Sequence, residues 1–247
     1  MKIVSTLAAA SIAFGVVAAD TAVECQFIVG QGEAPAVTKA YTTGVRLTPD
    51  GTNFCGGVLI TPTHVLTTAH CTSLQEARFV SVGSHFNSGT EDGEQIEVDH
   101  AENHTNYNFS TGSYDFALLK LVKPSCITPL ILPKADDSDI TPNMQANAMS
   151  WNDKTHQFQN IVMELMGNEE CEASFSVDNS SVCAASKDSC IGGMGSPLVK
   201  DNGQGDVDDV LIGLVNRESN CDATGTPNVF SRVSTAIEWI KSVTGVH

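Results

Sequence analysis

SCIGGMGSPLV, residues 189–199, decides how this chain is read. A cysteine opens the stretch, glycines at 192, 193 and 195 permit tight backbone turns, and Pro197 leads into an apolar strand. A loop of this rhythm suits the presentation of a nucleophile. At its centre stands Met194, whose thioether has no proton to give up.

Around that loop the chain is a series of short apolar runs separated by turn residues. Candidate strands are GVRL (44–47), FCGGVLI (54–60), HVLTTAHC (64–71), FVSVG (79–83) and DFALLKLV (115–122). In the second half come NIVMEL (160–165), SPLVK (196–200), VLIGLVN (210–216) and NVFSRV (228–233). They are rich in Val, Ile, Leu and Phe, and no long helical period separates them, so an all-β architecture is expected over a βαβ one. One helix is expected, in STAIEWIKSVTG at the C-terminus. Thr235 and Glu238 suit a capping box, Gly245 suits the end, and Ile237, Ile240 and Val243 share a face. The polar stretch PKADDSDITPNM (133–144) reads as a linker between two halves.

The N-terminus carries Lys2, then an apolar run and small residues before Asp20. This pattern predicts a secretory leader over residues 1–19, the run being short for a spanning helix. All eight cysteines follow it, an even count that fits disulfides in an exported chain and leaves about 105 possible pairings. Glycosylation sequons begin at Asn103, Asn108 and Asn179. The formal charge of −16 argues against a nucleic-acid partner and fits a soluble extracellular surface. His100 and His104 are four residues apart, but in a loop-like region beside a sequon, and no Cys-x-x-Cys pair is present; neither a metal nor a cofactor is expected.

His70 ends the apolar run LTTAHC (66–71), and Asp115 opens DFALLKL (115–121). Alone, each reads as a structural histidine or a turn aspartate. Together with the late glycine-rich loop they follow the chain order His, Asp, nucleophile of a chymotrypsin-like triad. From Ile28 to the C-terminal helix the sequence resembles the trypsin/chymotrypsin family of serine proteases. FCGGVLI, TTAHC, DFALLKL, Trp151, KDSC, GSPLV, NVFSRV and EWIKSV carry the likeness.

That resemblance implies two antiparallel six-stranded β-barrels and a C-terminal helix. Residues 20–27 would form a tethered N-terminal segment, and 28–247 the homology domain. Barrel 1 would span about 28–135, barrel 2 about 136–233 and the helix about 234–244. The implied disulfides are Cys25–Cys126, Cys55–Cys71, Cys171–Cys183 and Cys190–Cys221. Active members carry Cys-x-Gly-Asp-Ser-Gly-Gly-Pro-Leu; Cys190 and Pro197-Leu198 fix the register and place Met194 on the serine. Gly193 stands where the family has the acidic partner of its cleaved N-terminus, and Phe27 precedes Ile28 where a trypsin-like cut needs Lys or Arg. His70 and Asp115 then read as a surviving acid–base pair or, without a nucleophile, as a structural hydrogen bond. Asp188 matches the acidic floor of the specificity pocket, while Asn216, Arg217, Glu218 and Asn228 replace its lining and narrow it.

Within the family, the Ala-rich leader, the missing activation cut, four disulfides and the loss at the serine are similar to the glucanase inhibitor proteins of plant-pathogenic oomycetes. That similarity implies an inactive homologue secreted into the host apoplast. It would act as a monomer until it binds host plant endo-β-1,3-glucanase, with no membrane or nucleic-acid partner. The cleft rim, including Arg217 and Glu218, is expected to contribute to the contact. A weak protease acting through Ser196 and a recognition module with another protein partner are the alternatives.

Overall fold

The computed structural model describes residues 39–141, 143–152, 154–186, 191–203, 205–217 and 226–245. The leader, Cys25, Asp188, Cys190, Glu218 and Cys221 lie outside these residues. In the first half β1 (Thr42–Arg46), β2 (Cys55–Thr61), β3 (His64–Thr67), β4 (Phe79–Val82), β5 (Glu94–Asn103) and β6 (Ala117–Leu121) close in the order β1-β2-β3-β6-β5-β4. In the second half β7 (Gln145–Trp151), β8 (Phe158–Met166), β9 (Ser181–Ala185), β10 (Pro197–Lys200), β11 (Val210–Arg217) and β12 (Asn228–Arg232) close in the order β10-β11-β12-β9-β8-β7. Every pairing is antiparallel. No described helix is long and apolar enough to cross a membrane.

Apolar burial explains why the runs become strands. β2 is buried along its whole length, and Val45, Val58, Leu66, Val80 and Leu119 fill the first barrel. Met163, Val182, Leu198, Ile212, Val215 and Phe230 fill the second. Three strands carried no run to reveal them. In β5 only Ile96 is buried; β7 and β9 bury small residues such as Ala146, Ala148 and Ala184.

The run 64–71 is not one strand. β3 stops at Thr67, and Ala69–Leu74 forms a short helix, α1. Thr68 makes no side-chain cap; instead Asp115 accepts the His70 amide at 2.7 Å. A carboxyl group thus satisfies donors that a helix start leaves unpaired. The C-terminal capping box is also absent. Thr235 Oγ1 donates to the Arg232 carbonyl within a 3₁₀ turn (Val233–Ala236), and the helix proper, here α2, runs from Ile237 to Thr244. Gly245 ends it in the left-handed conformation, with Ile237 and Ile240 buried. A second short helical turn, Asn168–Cys171, precedes β9. The 133–144 stretch is docked, because Asp137 pairs with Arg232 at 3.1 Å.

Cys55–Cys71 and Cys171–Cys183 are formed, and Cys126 is disulfide-bonded. Lys39 joins the two halves: its buried ammonium meets Asp209 at 2.7 Å and Asp201 at 3.0 Å, while Tyr41 Oη donates to Asp209 at 2.6 Å. Burial alone would lower the Lys39 pKa, but its hydrogen bonds to both carboxylates and their charges leave it raised.

Arg46 is fully buried in barrel 1. Its guanidinium donates to Asn53 Oδ1 at 2.6 Å and to the carbonyls of Pro49, Gly89 and Phe86 at 2.9, 2.7 and 3.2 Å. One cation therefore holds two loops against β1. Arg46→Ala should cost about 3 kcal/mol of stability by leaving these acceptors without a donor. Urea unfolding checks this; an unchanged midpoint would show that the two loops hold without it.

Candidate functional site

β2 and the loop before β10 meet at backbone distance. The Gly56 amide donates to the Met194 carbonyl at 2.7 Å, and the Gly195 amide donates to Val215 at 2.8 Å. A Cβ at Gly56 would lie 2.3 Å from Ser196 Oγ and 2.8 Å from its backbone, so only glycine fits there. Gly193 and Gly195 adopt φ of 88° and 81°. The peptide unit that follows Met194 is thus pinned at both its carbonyl and its amide, and the methionine lies half-buried against the core. Ser196 is 0% exposed, its Oγ under Gly56 and without a hydrogen-bond partner among the described residues. A hydroxyl enclosed this way cannot reach a substrate.

His70, Asp115 and Met194 are brought to one region, because β2 carries Cys55, which the disulfide ties to Cys71 in α1. The His70 ring nevertheless makes no hydrogen bond with Asp115. It stacks on Phe109, with centroids 5.7 Å apart and planes 8° apart, and only its backbone amide reaches the carboxyl group. The hydrogen bond between His70 and Asp115 is made through the His70 backbone. Asp115 is 2% exposed. Burial pushes its pKa up to about 7, against the backbone hydrogen bonds from His70 and Ala69 that pull it down. Near neutral pH this group is not a firm negative charge that could orient or stabilise an imidazolium.

The wall of the cleft is closed from inside. Asn216 Nδ2 donates to the Gly112 carbonyl at 2.8 Å and to Ser231 Oγ at 2.9 Å. Arg217 Nη2 donates to the Thr111 carbonyl at 2.6 Å. Gly112 has φ of 74°, and a Cβ there would stand 3.0 Å from Asn216 Oδ1. Asn216 and Asn228 are buried, at 5% and 1% exposure. Phe109, Thr111 and Gly112 are the site residues that sequence reading missed. The available signal was Gly112, placed three residues before Asp115 in a polar loop. His100 and His104 do not converge: His100 bonds Asp99 at 2.9 Å, while His104 packs among Tyr114, Phe116 and Trp239. Among the described residues no group of three or more His, Cys, Asp or Glu could hold a metal.

Two closed antiparallel barrels, with a histidine helix from the first facing a glycine-rich loop of the second, define a trypsin-like protein. The trypsin family profile matches residues 28–240, and the chain belongs to that family. Its relatives there include glucanase inhibitor protein 2 of Phytophthora infestans, 52% identical over 254 residues and 99% of each chain. Glucanase inhibitor protein 1 of the same organism is 53% identical over 256 residues, covering 100% of this chain and 99% of that one. Glucanase inhibitor protein 2 of Phytophthora sojae is 45% identical over 255 residues, covering 98% and 88%.

The Asp115 environment has a thermodynamic consequence. Its folded pKa of about 7 lies above the unfolded value of about 3.9, so between those pH values the folded state holds the proton more tightly. Stability from this group should fall as pH rises from about 4 to about 7, by a few kcal/mol. Asp115→Asn keeps the acceptor for the His70 amide and should flatten that decline. Urea melts of both proteins across this range measure it; parallel curves would show that Asp115 does not titrate there.

Proposed function

We propose that the chain is a secreted, proteolytically inactive trypsin homologue that binds and inhibits host plant endo-β-1,3-glucanases. By doing so it suppresses the defence that glucan fragments elicit. Residues 1–19 are its export leader, and it works in the host apoplast as a monomer until it meets the enzyme. The observation that carries the inactivity is Met194, whose thioether has no proton to give up, in a loop held at the peptide unit that follows it, with Ser196 enclosed. Similarity at about half of all positions to proteins named glucanase inhibitors supports the partner.

Met194 occupies the nucleophile position, and Asp188, Asn216, Arg217, Glu218 and Asn228 are remnants of the specificity pocket. Cys25–Cys126 and Cys190–Cys221 complete the cross-links, a framework that stiffens a binding scaffold. The disulfide state of Cys126 supports the first of these pairs.

The direct test adds purified protein to a plant endo-β-1,3-glucanase and follows release of reducing sugar. Saturable inhibition is expected. Full glucanase activity at excess protein, together with capture of some other protein from apoplastic fluid, would overturn the inhibitor reading.

A serine at position 194 should not restore a protease. Met194→Ser supplies the hydroxyl but leaves His70 on Phe109 and Gly193 without its carboxylate. A fluorophosphonate probe should label neither wild type nor variant. Labelling of the variant at the substituted position would show that one substitution alone silenced the enzyme.

A further inference from the structure

The fold places two of the three sequons on one wall of the cleft. Asn108 and Asn179 are exposed, and they stand 71 positions apart in sequence on loops that are locked together. Ser113 Oγ donates to Asp178 Oδ2 at 2.5 Å, and the Tyr114 amide donates to Ser180 Oγ at 2.9 Å. Asn179 is thus flanked on both sides by residues that grip the Asn108 loop. That loop in turn covers the end of β11, through Thr111 on Arg217 and Gly112 on Asn216. Phe109, 62% exposed, is the residue that follows Asn108 and stacks on His70.

The side chains suit modification. Asn108 Oδ1 accepts the Ser110 amide at 2.9 Å and the Thr111 amide at 3.3 Å, so these bonds do not engage Nδ2, the nitrogen that a glycan joins. The sequon hydroxyls at Ser110 and Ser181 belong to the chain's surface loop and to the start of β9. Asn103 is also exposed, and its Oδ1 accepts Thr72 Oγ1 of α1.

We propose that Asn108 and Asn179 both carry N-linked glycans, and that these stand side by side as a screen along the Asn216–Arg217 wall. The glycans occupy the approach to this wall from solvent. The inference rests on the secretory reading above. It also bears on the rim contact expected from the sequence: Arg217 is bonded within the chain and lies behind the screen, so a protein partner reaches the cleft from its other side.

The test uses full-length chain secreted by a eukaryotic host. Glycopeptide mass spectrometry should find both asparagines occupied in wild type. Ser110→Ala should lose the Asn108 glycan and Asn179→Gln the other; Ser110 is chosen because changing Asn108 would disturb the turn it caps. Hydroxyl-radical footprinting should then show greater Phe109 oxidation in the Ser110→Ala/Asn179→Gln protein than in wild type. A secreted chain that begins at Asp20 with either asparagine bare overturns the screen and leaves the secretory reading intact, as does equal Phe109 oxidation in the two proteins. Retention in the cell with residues 1–19 still attached overturns both.

Discussion

The contact between Gly56 and the Met194 loop is the constraint on which the site depends. Two backbones approach so closely that neither Gly56 nor Gly195 can carry a side chain: a Cβ on Gly195 would lie 2.4 Å from the Gly56 carbonyl. The amide–carbonyl bond from Gly56 to Met194 couples the barrels at that point. It leaves Met194 half-buried against the core and Ser196 enclosed. Shifting Ser196 to the apex would require breaking this contact and burying a thioether where only a small side chain fits.

The trypsin-like scaffold is stiffened by contacts away from the cleft. Fixed cross-links, a buried Arg46 that holds two loops, and the Lys39 ion cluster between the halves restrict the chain independently of any nucleophile. In the cleft, His70 stacks on an aromatic ring, Asp115 serves as the cap of α1, and Asn216 and Arg217 hold a loop of their own chain. Among the described residues, His70, Asp115, Asn216 and Arg217 are each engaged inside the molecule. Such a protein is suited to present a surface, and interfaces of enzymes with protein inhibitors bury about 1,600 Å².

Much of the fold was legible because its strands bury Val, Ile, Leu and Phe in short runs, and nine of these runs fall on observed strands. β5, β7 and β9 escaped, since their pairing is set by neighbours more than by their own apolar content. The α1 helix was hidden inside the 64–71 run because its cap, Asp115, is 45 residues away in sequence. The same distance problem hid the site. The glycine-rich loop around Met194 is local and could be read directly, whereas the Phe109–His70 stack and the Thr111–Arg217 bond join segments whose proximity only the closed barrels create. The expected capping box at Thr235 failed for a local reason, its hydroxyl being taken by the Arg232 carbonyl.

An acidic, cross-linked, non-hydrolytic protein is the central claim, and turnover of an activated peptide ester by the purified, sequence-verified chain tests it most directly. The account predicts a rate equal to that of buffer alone, unaltered by His70→Ala or Ser196→Ala. Ester turnover that disappears with either substitution would contradict it.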